Sequence, residues 1–126
     1  MNRSEYYNLD VWVESRLLSV KIYNLTKNFP KEEQFGLTSQ IRRCSISVPS
    51  NIAEGCGRNT SKDTIRFLYI ARDSLYELET QLFLSSDLGF IKKSELDDVL
   101  EYVVVCKKLI NGFIKYYNKL ALISSN

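Results

Sequence analysis

An all-α protein folded as an antiparallel up-and-down four-helix bundle is what this 126-residue sequence predicts. Three observations lead there. Apolar residues recur every three or four positions over four long stretches, the spacing that lines one face of a helix. Two prolines and five glycines are too few for a chain built from many turns. The intervals between the stretches are short, so consecutive helices should pack as antiparallel neighbours. A chain of this length is expected to form a single domain, residues 1–126, and to bury enough surface to fold without disulfides or metal.

The first helix, residues 10–28, carries Val11, Ser15, Leu18, Ile22, Leu25 and Phe29 on its apolar face. Asp10 stands ready to accept from the free amides of its first turn, and Pro30 stops it by driving the preceding residue out of the α region. The second, residues 38–56, presents Leu37, Ile41, Cys44, Val48 and Ile52, with Thr38 or Ser39 as its cap. Pro49 lies inside this pattern, removes a donor and crowds the carbonyl of Ser45, so a kink is expected there. Ser45, Ser47 and Ser50 are at hand to satisfy the freed carbonyl. Gly55 and Gly57 suit the left-handed geometry that often closes a helix.

The third helix, residues 61–87, keeps Thr64, Leu68, Ala71, Leu75, Leu78, Leu82 and Ser85 in register without a slip. Thr60 and Asp63 form an acidic capping box at its start, and Gly89 closes it. The fourth, residues 94–121, aligns Leu96, Val99, Val103, Cys106, Ile110, Phe113, Tyr117 and Leu120, with Ser94 and Asp97 at its start. The third helix also carries a second stripe, Tyr69, Tyr76 and Phe83, with Ile65, Arg72 and Glu79 in the same phase. Either this face contacts two neighbours within the bundle or it is a subunit interface, where tyrosine, phenylalanine and arginine are favoured. Tyr6, Tyr7, Trp12 and Tyr23 are further aromatics suited to contact.

Composition restricts the chemistry. There is no histidine, which removes the Glu-x-x-His pairs of di-metal bundles and the Ser-His and Cys-His nucleophile arrangements. Cys44, Cys56 and Cys106 are widely spaced and form no CxxC pair, so neither zinc nor redox chemistry is suggested. Cys56, between two glycines, looks exposed and has Arg58 nearby, yet a structural role at a helix end is the ordinary one for such a residue. Gly55-Cys56-Gly57 follows a helix, not a strand, and supports no dinucleotide site. No cofactor, metal, small-molecule substrate or enzymatic apparatus is expected. No apolar run approaches the roughly 20 residues that cross a bilayer, and the first ten residues do not form an export signal. Free thiols then favour a cytoplasmic setting.

The net charge is only +2, but it is unevenly spread. Between Leu37 and Arg72 lie Arg42, Arg43, Arg58, Lys62, Arg66 and Arg72, opposed by only Glu54 and Asp63. Arg58, Lys62 and Arg66 surround the start of the third helix, where free amides and the dipole already favour an anion. Arginine forks match phosphate, so Arg42, Arg43, Arg58, Lys62 and Arg66 are candidate nucleic-acid contacts. On the competing reading they form a solvated face, Arg66 pairing with Asp63 and Arg42 with Glu54, each pair contributing about 0–1 kcal/mol.

The same stretch carries a resemblance. LTSQIRR (37–43), VPSNIAEG (48–55) and the ELETQL run (77–82) make the chain, from about Val11 to Tyr117, similar to the proteins encoded in intervening sequences of bacterial 23S ribosomal RNA genes. That family in turn is similar to the accessory variability determinant of diversity-generating retroelements. The resemblance implies a four-helix bundle, assembly as a homopentamer, and a role near RNA or a nucleoprotein partner such as a reverse transcriptase. It implies no catalytic residues. Two functional readings follow: a non-enzymatic oligomer that binds RNA through its basic residues, or a protein-interaction scaffold whose aromatic stripe, Tyr69, Arg72, Tyr76 and Phe83, makes the contacts.

Overall fold

Four helices account for nearly all of the computed structural model, which describes residues 3–124. They are α1 (Asp10–Thr26), α2 (Leu37–Cys56), α3 (Ser61–Asp87) and α4 (Lys93–Ser124). Two short 3-10 helices, Arg3–Asn8 and Lys31–Glu33, precede α1 and α2, and no strand occurs among the described residues. Each helix packs on the next and α4 returns to α1, whereas the diagonal pairs have no Cα atoms within 8 Å of each other. That is the square cross-section of an up-and-down bundle.

The apolar periodicity points inward as expected. Leu18, Ile22, Ile41, Val48, Ile52, Leu68, Leu75, Leu78, Leu82, Val103 and Ile110 are fully buried in one core. The α3 pattern holds at every position from Thr64 to Ser85. The register in α4 drifts near its end: Ile114 and Tyr117 enter the core, while Phe113 and Leu120 lie at its edge. A 3.6-residue period requires such a drift over a helix of 32 residues.

Several helix ends are built differently from the sequence expectation. Asp10 is the first helical residue of α1 and not its cap, so only its charge serves the amide dipole. The helix ends at Thr26, short of Pro30; there the Thr26 hydroxyl donates back to the Ile22 carbonyl (2.8 Å) and accepts from Arg42 Nε of α2 (2.8 Å). The turn that follows folds Phe29 inward against Phe90, with ring centroids 5.4 Å apart. α2 starts at Leu37, whose amide donates to the Glu33 carboxylate (3.1 Å), so neither Thr38 nor Ser39 is the cap. At α4 the Glu95 carboxylate accepts from the Lys92 amide (2.8 Å), while Asp97 pairs with Lys93 (3.1 Å).

The third helix starts and stops where its signals lie. Thr60 Oγ1 accepts from the Asp63 amide (3.2 Å). At the other end Gly89 adopts φ +78°, its amide donates to Ser86 and the Phe90 amide to Ser85, which closes the carbonyls of the last turn. Gly55 and Gly57 do not adopt left-handed geometry. Gly55 is needed for a close approach instead: a Cβ there would sit 3.1 Å from Phe67 Cβ and 3.2 Å from the Thr64 carbonyl oxygen.

The kink expected at Pro49 is not confirmed; α2 is assigned as one continuous helix through the proline. The carbonyl that Pro49 leaves without its helical donor, that of Ser45, accepts from the Ser19 hydroxyl of α1 at 2.8 Å. The neighbouring serines are occupied elsewhere, Ser45 with the Arg42 carbonyl and Ser47 with Ser74 of α3.

Candidate nucleic-acid interface

The five basic residues separate into two groups at opposite ends of α2. Arg42 and Arg43 lie one turn into the helix; Arg58, Lys62 and Arg66 surround the α2–α3 connection. At 1.5 Å rise per residue the two groups are about 20 Å apart along the helix axis. A single phosphate cannot bridge that distance, but a polyanion several nucleotides long can.

At the α2–α3 end, Arg58, Lys62 and Arg66 line an open pocket of about 650 Å³ with Gly57, Asn59, Thr60 and Asp63. The tight connection exists because Gly55 admits the start of α3, and Thr64 Oγ1 donates to the Gly55 carbonyl at 2.7 Å. Asp63 takes a bidentate grip from Arg66 (Nη2 2.8 Å, Nε 3.1 Å to the same oxygen) and lies 3.8 Å from Arg58 Nε. Both guanidiniums also lie over the Phe67 ring, at 4.3 and 4.6 Å from its centroid. One carboxylate thus holds two arginines in place and offsets part of their charge. The Arg66–Asp63 pair anticipated on the solvated-face reading is present. The Arg42–Glu54 pair is not, because twelve residues of one helix hold them about 18 Å apart. Lys62 is exposed and enters no ion pair among the described residues.

At the other end, Arg42 is fixed by α1: its Nε bonds to Thr26 and its guanidinium lies 4.6 Å over the Tyr23 ring. Arg43, one position further round, is exposed and unpaired among the described residues. Together with Tyr23, Gln34, Phe35, Thr38, Ser39 and Ile46 they line a second pocket of about 440 Å³. Phe35, 90% exposed, was not singled out in the sequence. It stands in a turn, outside the helical periodicity that marks core positions, and that was the one available signal.

The second stripe on α3 remains open to solvent: Tyr69 is 37% exposed, Tyr76 51% and Phe83 48%. Arg72 lies 4.6 Å over Tyr69 and donates to Asn111 of α4 (3.2 Å), while its buried Nε has no partner among the described residues. Lys107 of α4 bonds to Glu79 (2.7 Å) and lies 4.4 Å over Tyr76. The stripe therefore follows the outer edge of the α3–α4 seam.

No catalytic constellation emerges from the cysteines. All three are buried, including Cys56, for which exposure had looked natural. Burial first, and then the nearby Glu77, pushes the Cys44 thiol up to about 11; burial does the same to Cys106. Among the described residues no three Cys, Asp or Glu side chains converge to hold a metal ion, and no helix is long and apolar enough to cross a membrane.

Residues 7–112 match the profile of the 23S rRNA-intervening sequence proteins. A crystal structure from Bacteroides thetaiotaomicron VPI-5482, described as a protein with unknown function from the S23 ribosomal protein family, aligns with a TM-score of 0.77 at 28% identity. The alignment covers 83% of this chain and 95% of that one. No curated protein matches the chain.

Proposed function

This chain belongs to the family of 23S rRNA-intervening sequence proteins, and on that footing we propose that it is a non-enzymatic, oligomeric bundle that binds RNA through its basic residues. Arg42, Arg43, Arg58, Lys62 and Arg66 are assigned to phosphate contacts. The observation that carries this reading is the pair of exposed cations, Arg43 and Lys62, unpaired among the described residues and each set beside arginines already held in place by a ring or a carboxylate. Fixed guanidiniums lose little freedom on binding phosphate, and two groups about 20 Å apart suit an extended polyanion. Binding is mainly electrostatic and weakens steeply with salt.

A mobility-shift assay with a structured RNA tests this at about 50 and 150 mM salt, on either side of the range where phosphate contacts weaken most. The expected result is a complex at the lower concentration that loses affinity at the higher one. Absence of a complex at both overturns the reading.

A second reading is supported by the stripe Tyr69, Tyr76 and Phe83: a protein-interaction scaffold whose aromatic seam contacts other subunits or a partner such as a reverse transcriptase. On this second reading the basic residues are only solvated and make no direct nucleic-acid contact. We assign the stripe, with Arg72, to self-association; the resemblance supports a homopentamer, and the free thiols support a cytoplasmic setting. Light scattering on the purified protein gives the mass. A monomer at every concentration overturns the assembly.

A further inference from the structure

The pocket between the end of α1 and the start of α2 has features that phosphate binding alone does not require. Phe35 projects from the turn before α2 with 90% of its surface in water, where it adds nothing to the core. Tyr23, partly exposed across the pocket, carries the Arg42 guanidinium over its ring, 4.6 Å from the centroid. Thr38, nine-tenths buried, lines the same pocket together with the more open Gln34 and Ser39. Arg43, the exposed cation, completes the rim.

We propose that this pocket takes one unpaired nucleotide of an RNA strand, its base stacked on Phe35 and its phosphate on Arg43, with Ser39 and Gln34 supplying hydrogen bonds. The volume of about 440 Å³ falls within the roughly 300–1,000 Å³ usual for sites of small organic ligands. An aromatic face beside a cation is the combination that single strands use, because every base offers a π-face and every nucleotide a charge. A duplex keeps its bases stacked on each other and has none to offer Phe35. The two ends of α2 then divide the work: the α2–α3 pocket, with no exposed ring, holds backbone, and the α1–α2 pocket selects unpaired positions. This rests on the RNA-binding reading above and specifies the form of RNA bound.

The test is fluorescence anisotropy with a labelled oligouridine of about twelve nucleotides and a fully paired RNA duplex of the same length, within the span of known single-strand sites. Wild-type protein is compared with Phe35→Ala, Phe35→Trp and Lys62→Gln, circular dichroism confirming that each is folded. The proposal expects Phe35→Ala to weaken oligouridine binding about tenfold and leave duplex binding unchanged, with Phe35→Trp restoring it. Lys62→Gln weakens both forms alike. If wild-type protein binds RNA but Phe35→Ala binds oligouridine as well as wild type does, the nucleotide pocket is overturned and the RNA-binding reading survives. If Phe35→Ala changes the mass in light scattering and leaves RNA affinity intact, Phe35 faces a protein and the pocket is again overturned. If wild-type protein binds neither RNA, both readings fall.

Discussion

Asp63 sets how much positive charge the start of α3 offers a ligand, since it holds Arg66 bidentately and Arg58 more loosely. Replacing it with Asn removes the opposing charge while leaving Thr60 to cap the helix. The expected outcome is RNA affinity raised about two- to fivefold, the size of a surface ion pair, measured by anisotropy at low salt. Gly55→Ala acts on the same corner by another route. Its Cβ meets the Thr64 carbonyl and the Phe67 Cβ, neither of which is the movable end of a side chain. A loss of about 1–3 kcal/mol in a urea titration is expected. Cys44 and Cys106 make the protein sensitive to alkali. Below about pH 9 their thiols are protonated whether the chain is folded or not. From there to about 11 the unfolded chain releases protons that the folded one keeps, so stability falls as pH rises. Urea midpoints at pH 8 and pH 10 check the direction. Of these residues the arginines and Asp63 were legible, because charge imbalance is a property of composition. The burial of Cys56 and the close contact at Gly55 were not, because both depend on how α2 meets α3.

The helices themselves were read almost directly. α3 has the bounds its pattern predicts, and every position of its inner stripe from Thr64 to Ser85 is buried, since one period, one cap and one closing glycine agree. The ends of α1, α2 and α4 were less legible because several short polar side chains competed at each. Glu33 reaches forward to the Leu37 amide from before α2, and Glu95 reaches back from the first turn of α4 to the Lys92 amide, where a serine or threonine had looked sufficient. Pro49 shows the limit most clearly. Local sequence contains serines able to satisfy the freed Ser45 carbonyl, yet the donor comes from another helix, 26 positions away at Ser19. Ser19→Ala is expected to cost about 1 kcal/mol in chemical denaturation, the usual contribution of such a bond. Restoring a helical donor with Pro49→Ala in the same background should recover part of it. Equal stability of Ser19→Ala and wild type would remove Ser19 from this role.

Across the whole molecule, the proposed function depends on what the bundle leaves outside its core. The core uses one face of each helix; among the side chains left outside are cations at both ends of α2 and aromatics along the α3–α4 seam. Periodicity distinguishes the inner face well but does not say whether an outer face is solvated or covered. That is why Tyr69, Tyr76 and Phe83 were legible as a stripe and not as an exposed one. If the stripe joins subunits, Tyr76→Asp with Phe83→Asp should dissociate the assembly to monomers in light scattering while circular dichroism stays helical. The association of protein with RNA is most directly tested by its salt dependence. Wild type and an Arg43→Gln, Lys62→Gln double variant are titrated with one structured RNA over about 50–200 mM salt. The account predicts a log–log slope that becomes shallower by about one for each cation removed, with weaker binding at every salt concentration. Identical slopes and affinities for the two proteins would contradict it.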